Sequence, residues 1–262
     1  MAIYELKCFG TRPGEGNAAL VILEGPAGAE ERQGFATAAN KSACVFVDAG
    51  TLDYYYPHTR SPLCLHATLA AARVLLADSP GPLNVRTAMR GQELVLTHSV
   101  NGIFVSLSRQ PAPDVAPPPD LLDRLLAAPG LVLASEPAVA SVGSPKLLVE
   151  VADSATLQEL RPNLSAIFDW GKANGVNGIY AWCRRPDGSF EGRNFNHLDP
   201  AIEDSATGVA AGALTVHLAR SLDLYQGANR GQPCLLRTQL DGAHILIGGA
   251  AEYVGSTITK VV

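Results

Sequence analysis

Two short, alanine-rich apolar segments constrain the fold of this 262-residue chain more than any other feature. They are ATLAAARVLL (67–76) and ATGVAAGALTVHLARSL (206–222). A helix that is apolar around its whole circumference is normally buried. Because strand-like segments surround each one, the pair predicts two similar halves, each with strands wrapped around one buried helix. Buried alanine-rich helices also resemble one another by chance, so this internal repeat is weak by itself.

Short segments of alternating or β-branched residues, separated by Gly, Pro, Asn or Asp, predict strands around these helices. The predicted helices cover residues 30–40, 66–77, 120–128, 154–160, 164–174 and 207–221. The predicted strands cover residues 3–9, 18–23, 43–47, 52–56, 83–87, 93–97, 103–107, 131–134, 147–151, 178–182, 234–239 and 243–248.

A proline-rich stretch, RQPAPDVAPPPD, lies between the two predicted halves at about 109–120. Proline at this density leaves no room for a packed helix or strand. We therefore interpret the stretch as a linker between an N-terminal half, 1–110, and a C-terminal half, 120–262. The last strands of the second half are free to cross back to the first.

Composition narrows the class of protein. Hydrophobic residues make up 47% and charged residues 17%, which is enough for a sizeable core. The net charge of −5 without a basic stripe argues against nucleic acid as a partner. No apolar run approaches the roughly 20 residues of a membrane span, so no membrane partner is expected. Five cysteines without a CxxC or Cys/His spacing predict a reduced, cytoplasmic protein with no metal site.

The residues that lead into the two apolar helices are the candidate site residues. Cys64 and His66 precede or begin the first helix, and Asp204, Thr207 and Gly208 the second. The first turn of a helix leaves backbone N–H groups unpaired, and its dipole favours anions. Two such helix starts facing one cleft would hold a carboxylate.

Each of these residues also has a purely structural interpretation. Thr207 is more readily explained as a helix N-cap, a role open to Asp204 as well. A lone histidine such as His66 is more often a cap or a satisfied core residue. A thiol near a helix N-terminus can act as a thiolate base or nucleophile, but a buried, inert thiol is the simpler interpretation of Cys64. Gly208 either lets the backbone approach a ligand or relieves crowding.

Seven segments resemble the PhzF-like family of phenazine-biosynthesis isomerases in order and spacing over almost the whole chain. The one around the second helix, with EDSATG at its centre, is fairly specific, and the others are persuasive jointly. They are EGNAALVI (15–22), NKSACVF (40–46), LCLHATLAA (63–71), VGSPKLLVEV (142–151), GRNFNHLDPAIEDSATGVAAGAL (192–214), QGANRGQP (226–233) and IGGAAEYV (247–254).

The resemblance implies a diaminopimelate-epimerase-like α+β fold, in which each half is an antiparallel, barrel-like sheet around a central helix. It implies an active site in the cleft between the halves, and a possible homodimer. The best-understood activity of the family is isomerisation of a dihydro-hydroxyanthranilate, in which a carboxylic acid removes a proton from carbon and a proton returns elsewhere. The family uses no metal and no organic cofactor.

The chain departs from the family at the position of the catalytic glutamate, which is Ala43 here. A methyl group exchanges no protons, so the usual mechanism does not carry over unchanged. Ser205 replaces a proline and Val209 replaces a serine, whereas His66 and Asp204 match the family's histidine and aspartate.

Cys64 falls where the related epimerases carry the first of their two catalytic cysteines. We hypothesise that Cys64 supplies one half of a proton shuttle, with Asp204 or His66 as the other half. The residues that follow it do not reproduce the epimerase signature. Cys44 is a weaker candidate, because neighbouring side chains in a strand point to opposite faces and Cys44 follows Ala43.

These observations predict an isomerase or epimerase that moves a proton on a small carboxylate substrate. The alternative is a catalytically lapsed family member that binds a small acid or a protein partner. The predicted catalytic residues are His66, Asp204 and Cys64, and the predicted substrate-binding residues are Asn17, Ser42, Ala43, Thr207, Gly208 and Val209.

Overall fold

The computed structural model describes residues 1–79, 81–115, 117–118 and 120–255, and the backbone of residues 259–260. The chain divides into two compact units. The first unit contains Met1–Leu107, Gln232–Leu235 and Leu246–Val262, and the second contains Ser108–Gly231 and Leu236–Ile245.

The proline-rich stretch begins next to this division. Its residues 109–115 and 117–118 form neither helix nor strand, while Ala116 and Pro119 lie outside the described residues.

Runs of strands are separated by single helices or, between β10 and β11, by a pair of helices. The helices are α1 Ala29–Ala39, α2 Leu65–Leu75, α3 Leu121–Leu125, α4 Ser154–Glu159, α5 Leu164–Asn174 and α6 Gly208–Leu218. The strands are β1 Ala2–Phe9, β2 Gly16–Leu23, β3 Ala43–Asp48, β4 Thr51–Tyr56, β5 Thr59–Ser61, β6 Leu83–Thr87, β7 Glu93–Ser99, β8 Gly102–Ser108, β9 Ala138–Ala140, β10 Lys146–Glu150, β11 Ile179–Arg184, β12 Phe190–Phe195, β13 Leu222–Gln226, β14 Cys234–Asp241, β15 His244–Gly249, β16 Ala251–Tyr253 and β17 Thr259–Lys260.

In the first unit, the sheet formed by β1 to β4 has a helix on each face. β1 and β2 are antiparallel, β2 and β3 are parallel, and β3 and β4 are antiparallel. Cys44 and Phe46 pack with Ala36 of α1 on one face. Since side chains alternate along a strand, Ala43 and Val45 lie on the other face, which α2 covers. The apolar helix α2 is buried there, as the sequence predicts.

In the second unit, the sheet formed by β10 to β13 is also covered on both faces. β10 and β11 are parallel, β11 and β12 antiparallel, and β12 and β13 parallel. One face packs with α3, α4 and α5 around Leu147, Val149 and Ile179. The opposite face carries Lys146 and Tyr180, and α6 packs against β9, β10 and β13.

The structure corrects two expectations about the strands. The sheets are mixed rather than antiparallel, because helices such as α1 connect neighbouring strands and return the chain in the same direction. The predicted strand 131–134 is wrong: Leu133 forms a single bridge with Val151, and Val132 is 76% exposed.

The predicted helices are all present: α5 has the predicted ends, and the others differ from the prediction at one or both ends. Pattern alone missed six short or polar strands among the described residues, namely β5, β9, β12, β13, β16 and β17. In the part of the chain that is described, no helix is both long and apolar enough to cross a membrane.

Candidate functional site

Cys64 and His66 contact each other at the start of α2. Cys64 occupies the N-cap position, and its Sγ lies 3.4 Å from Nδ1 and 3.9 Å from Nε2 of His66. Both side chains are buried. The Cys64 carbonyl accepts hydrogen bonds from the N–H and the hydroxyl of Thr68, both at 2.9 Å, which fixes the first helical turn. A thiol and an imidazole at this distance are able to exchange a proton.

Tyr54 on β4 contacts this first turn of α2 through a hydrogen bond. Its hydroxyl lies 2.7 Å from Oγ1 of Thr68. Because the Thr68 hydroxyl already donates to Cys64, the tyrosine hydroxyl is the donor in this contact. Burial is the main cause that raises the pKa of Tyr54, so its proton stays in place over the ordinary pH range.

Asn17 and Ala43 lie on the sheet face that α2 covers. Asn17 sits opposite Cys8 on β1, and Ala43 sits opposite Ala19, two residues further along β2. Asn17 is 2% exposed and Ala43 is 1% exposed. Ser42 precedes β3 and is exposed. In the first unit the fold therefore brings Asn17 and Ala43 to the helix that carries Cys64, and leaves Ser42 at the surface.

Three further buried thiols belong to the same unit. Burial is the main cause that raises the pKa values of Cys44 and Cys234 to about 12, and it raises that of Cys8 further. A neighbouring Cys64 contributes to the rise at Cys8 and Cys44. These three groups stay protonated and are poor nucleophiles. Cys44 packs on the α1 side of the sheet, which confirms that it points away from the face of Ala43.

In the second unit, Gln226 binds the residues that lead into α6. Its Oε1 accepts from the N–H of Thr207 at 3.2 Å, and its Nε2 donates to Oγ1 of Thr207 at 3.0 Å and to the carbonyl of Asp204 at 2.8 Å. Thr207 occupies the N-cap position, but its side chain makes no capping hydrogen bond. The favoured interpretation of Thr207 as a side-chain cap is therefore wrong. Its hydroxyl oxygen instead accepts a hydrogen bond from Gln226.

Gly208 and Val209 form the first turn of α6 and are buried. The N–H of Ala211 donates to the carbonyl of Thr207, so the N–H groups of Gly208 and Val209 precede the first intrahelical hydrogen bond. Oδ2 of Asp204 lies 3.9 Å from Nε2 of His197. The described contacts thus place Asp204, Thr207 and the first turn of α6 next to one another.

Lys146 at the start of β10 is a buried charge that pattern reasoning missed. Its side chain is inaccessible to solvent, and Nζ donates to the carbonyl of Asn177 at 2.6 Å. Burial lowers the pKa of Lys146 to about 7, and the charge of Asp204 partly offsets that fall. The available signal was a lysine inside the otherwise apolar strand sequence KLLVE.

The second unit also contains a cavity of about 200 Å³ beside the end of β12. The Arg193–Glu203 ion pair, with N–O distances of 3.0 and 2.9 Å, belongs to its wall. The cavity is lined by Leu160, Arg161, Pro162, Leu164, Arg193, Asn194, Phe195, Asn196, His197, Asp199, Pro200 and Glu203. Within the described residues, no group of three or more His, Cys, Asp or Glu side chains is arranged to hold a metal ion.

Comparison with known proteins defines the class. The sequence profile of the family described as "Phenazine biosynthesis-like protein" matches residues 6–254. The chain belongs to this family, which confirms the resemblance found in its motifs. A relative described as an uncharacterized isomerase of Deinococcus radiodurans is 30% identical over 278 residues, covering 98% of this chain and 89% of the relative.

Solved structures confirm the diaminopimelate-epimerase-like α+β fold. A structure described as a predicted epimerase of Pseudomonas aeruginosa has a TM-score of 0.80 at 21% identity, covering 100% of this chain and 99% of the other. A hydroxyproline epimerase of Agrobacterium vitis, with bound trans-4-hydroxy-L-proline, has a TM-score of 0.63 at 11% identity, covering 97% and 91%. At these identities the likeness concerns the fold.

Proposed function

We propose that the protein is a cofactor-independent isomerase or epimerase that moves a proton on a small carboxylate substrate. Family membership supports the reaction class. The observation that carries the proposal is the buried contact between Cys64 Sγ and His66 Nδ1, 3.4 Å apart at the start of α2. These two ionisable side chains lie in the same unit as Ala43, which stands at the position of the family's catalytic glutamate.

In the proposed reaction, His66 takes the proton of the Cys64 thiol, and the resulting thiolate removes a proton from a carbon near the substrate carboxylate. Asp204 in its protonated form delivers a proton to the substrate carbon skeleton and regains one from solvent, while the His66 imidazolium releases its proton to solvent, so that all three groups return to their starting forms. The number of protons on the substrate is unchanged, so no oxidant or reductant is needed. General acid–base catalysis of this kind contributes about 10²–10⁴-fold for each group.

The proposed carboxylate-binding residues divide between the two units. Thr207, Gly208 and Val209 offer the start of α6, where the helix dipole favours an anion. Asn17 offers a buried polar side chain on the sheet face that α2 covers, and Ser42 offers an exposed hydroxyl. Ala43, next to Ser42 in sequence, has a methyl group where the family has its glutamate. These residues support a small carboxylate as the proposed substrate class.

The second candidate is a lapsed family member that binds a small acid or a protein partner without turnover. Ala43 favours it, since this position carries a buried methyl group where the resemblance implies a carboxylic acid. In this case Asp204 and the start of α6 still bind a carboxylate, but no proton leaves carbon.

Deuterium incorporation in D₂O separates the two candidates. The purified protein is incubated with a panel of small carboxylates that includes proline, trans-4-hydroxy-L-proline and aromatic amino acids, and mass spectrometry measures uptake at carbon. We expect uptake with at least one substrate, and at least a hundredfold loss in Cys64→Ser. Cys44→Ala, on the other sheet face, is the matched control and retains uptake.

Full exchange by Cys64→Ser would exclude the proposed role of that thiol. Calorimetric binding of a carboxylate without any exchange would instead establish the lapsed member. Binding and exchange are measured with the same protein samples and the same ligand, so the two outcomes can be distinguished.

A further inference from the structure

The walls of the cavity beside the end of β12 are held together by Arg193. Its Nη1 donates to the carbonyls of Leu157 and Leu160 at the end of α4, at 3.0 and 3.1 Å. Its Nε and Nη2 donate to the carboxylate of Glu203, on the segment that leads to α6. Three parts of the second unit are thus joined by hydrogen bonds around the cavity, as in binding sites that are formed before their ligand enters.

The charged side chains of the wall already have partners. Arg193 and Glu203 neutralise each other through two hydrogen bonds. Arg161 donates to two backbone carbonyls, and the carboxylate of Asp199 accepts from a backbone N–H at 2.8 Å. A charged ligand would have to compete with these bonds, and removing its charge from water is costly. The wall therefore favours a neutral molecule.

The side-chain oxygen of Asn194, another residue of the wall, has no such partner. The residue is 1% exposed, and its Nδ2 donates at 2.8 Å to Oδ1 of Asn196, which also lines the cavity. In the part of the chain that is described, Oδ1 of Asn194 is the one buried side-chain nitrogen or oxygen without a hydrogen bond. A buried acceptor in this state costs free energy, which an N–H or O–H group of a ligand would recover.

The volume and the apolar part of the wall set the size of the ligand. The cavity holds about 200 Å³, whereas an apolar cavity of about 150 Å³ is enough for one benzene molecule. Leu160, Pro162, Leu164 and Phe195 contribute apolar surface to the wall. Burying a ring against such surface is favourable because it removes apolar area from water. The space fits one six-membered ring with a small substituent.

We propose that this cavity is a binding site for a neutral, ring-sized molecule that donates one hydrogen bond, through N–H or O–H, to Oδ1 of Asn194. The ring packs against the apolar part of the wall, and the donor group satisfies the buried acceptor. The Arg193–Glu203 pair holds the walls apart and makes no demand on the ligand.

This binding site goes beyond the proposed function and does not depend on it. Among the described residues, the lining of the cavity includes none of those proposed for catalysis or for binding the substrate carboxylate. His197 in the wall lies 3.9 Å from the carboxylate of Asp204, so the cavity adjoins the residues that lead into α6.

The experiment uses phenol and toluene as probes, because they have the same ring and a substituent of similar size. Phenol donates a hydrogen bond through its hydroxyl, whereas the methyl group of toluene donates none. NMR titration of the isotope-labelled protein measures both dissociation constants and identifies the backbone amides whose signals shift. A probe with so few atoms is expected to bind with a dissociation constant of about 1 mM.

The comparison variant is Asn194→Leu, which has a similar volume and no acceptor. We expect the ratio of the phenol to the toluene association constant to fall about tenfold in this variant, since a hydrogen bond to a buried acceptor is lost for phenol alone. Asn101→Ala, in the exposed turn between β7 and β8, is the matched control and leaves the ratio unchanged. Circular dichroism confirms that each variant is folded.

A second variant tests the cavity itself. Leu164→Phe, at the start of α5, places a larger side chain in the wall, and we expect it to weaken the binding of both probes at least tenfold. In the wild type, the amide signals that shift should belong to residues 160–164 and 193–203.

Three results would overturn the proposal. The first is the absence of signal changes at about 10 mM phenol, ten times the expected dissociation constant. The second is a set of shifted signals that lies away from residues 160–164 and 193–203. The third is an unchanged ratio of phenol to toluene binding in folded Asn194→Leu. The first two need no variant, and none of the three involves deuterium exchange, so failure of the proposed function leaves this test intact.

Discussion

The carboxamide of Gln226 and the backbone and hydroxyl of Thr207 are joined by two hydrogen bonds, at 3.2 and 3.0 Å. The same carboxamide accepts from the Tyr180 hydroxyl at 3.0 Å and donates to the Asp204 carbonyl at 2.8 Å. Both N–H groups and both lone pairs of the carboxamide are therefore used. One buried side chain thus connects β11 and β13 with the residues that lead into α6.

Replacing Gln226 with leucine leaves these partners buried without hydrogen bonds. We expect the Gln226→Leu variant to lose about 3 kcal/mol of unfolding free energy, since each unsatisfied buried group costs about 1–3 kcal/mol. Urea unfolding followed by circular dichroism measures the loss. Gln239→Leu, at an exposed position of β14, is the control and should change stability by less than about 0.5 kcal/mol. Equal losses in both variants would contradict the assigned role of Gln226.

Replacement by alanine is expected to have opposite effects on stability at Gly192 and Gly34. A Cβ at Gly192 would lie 2.2 Å from the Tyr180 hydroxyl oxygen, so Gly192→Ala displaces that ring and destabilises the second unit. Gly34 lies inside α1 with no atom within 4 Å of the added Cβ, so Gly34→Ala stabilises the protein by about 0.5–1 kcal/mol. Thermal unfolding measures both changes: we expect a lower melting temperature for Gly192→Ala and a higher one for Gly34→Ala. A melting temperature for Gly192→Ala equal to or above the wild type would show that the ring moves without cost.

Asp53 on β4 is the centre of a buried ion-pair cluster on the α1 side of the first unit's sheet. Its carboxylate accepts from Arg32 at 3.0 Å and from Arg60 at 2.8 and 3.1 Å. Replacing Asp53 with asparagine removes the described carboxylate partner of Arg60 and leaves the buried Arg32 with Asp48 alone. We expect Asp53→Asn to cost about 3–5 kcal/mol in urea unfolding. Glu93→Gln breaks the exposed pair with Arg86, and this control should cost under about 1 kcal/mol.

The buried thiols predict slow alkylation of the folded protein. Burial raises the pKa values of Cys44 and Cys234 from 9.0 to about 12. At pH 8 the thiolate fraction of each is therefore about a thousandth of that of an exposed cysteine, and only the thiolate reacts. We expect iodoacetamide to modify both at least a thousandfold faster in urea than in the folded state, as measured by mass spectrometry of peptides. Comparable rates in the two states would show that these thiols are accessible and ionised.

Lys146 predicts a rise of stability with pH. Below about pH 7 the folded and unfolded states both carry its proton, whereas between about 7 and 10.5 only the unfolded state does. The unfolding free energy therefore rises with pH in this window, by up to about 1.4 kcal/mol per pH unit, relative to Lys146→Met. Urea unfolding from pH 6.5 to 9.5 measures the difference. Parallel curves for wild type and Lys146→Met would contradict the lowered pKa.

Local sequence pattern determined the helices well. α2 and α6 are apolar on every face, and such a pattern is decided within a dozen neighbouring residues. The same motifs located Cys64 and His66 at one helix start and Asp204 and Thr207 at the other. They also determined the family and its fold, since the segments recur in order over almost the whole chain.

The sequence alone could not show which polar residues are buried. β12, with the sequence FEGRNF, has no alternating pattern, and it is a strand because β11 and β13 flank it. Lys146 and Gln226 look like surface residues until the register of β10 and β13 turns them towards α6. Their partners lie 19 or more residues away in sequence, at Thr207 and Asn177, so only tertiary packing brings those hydrogen-bonding groups within reach.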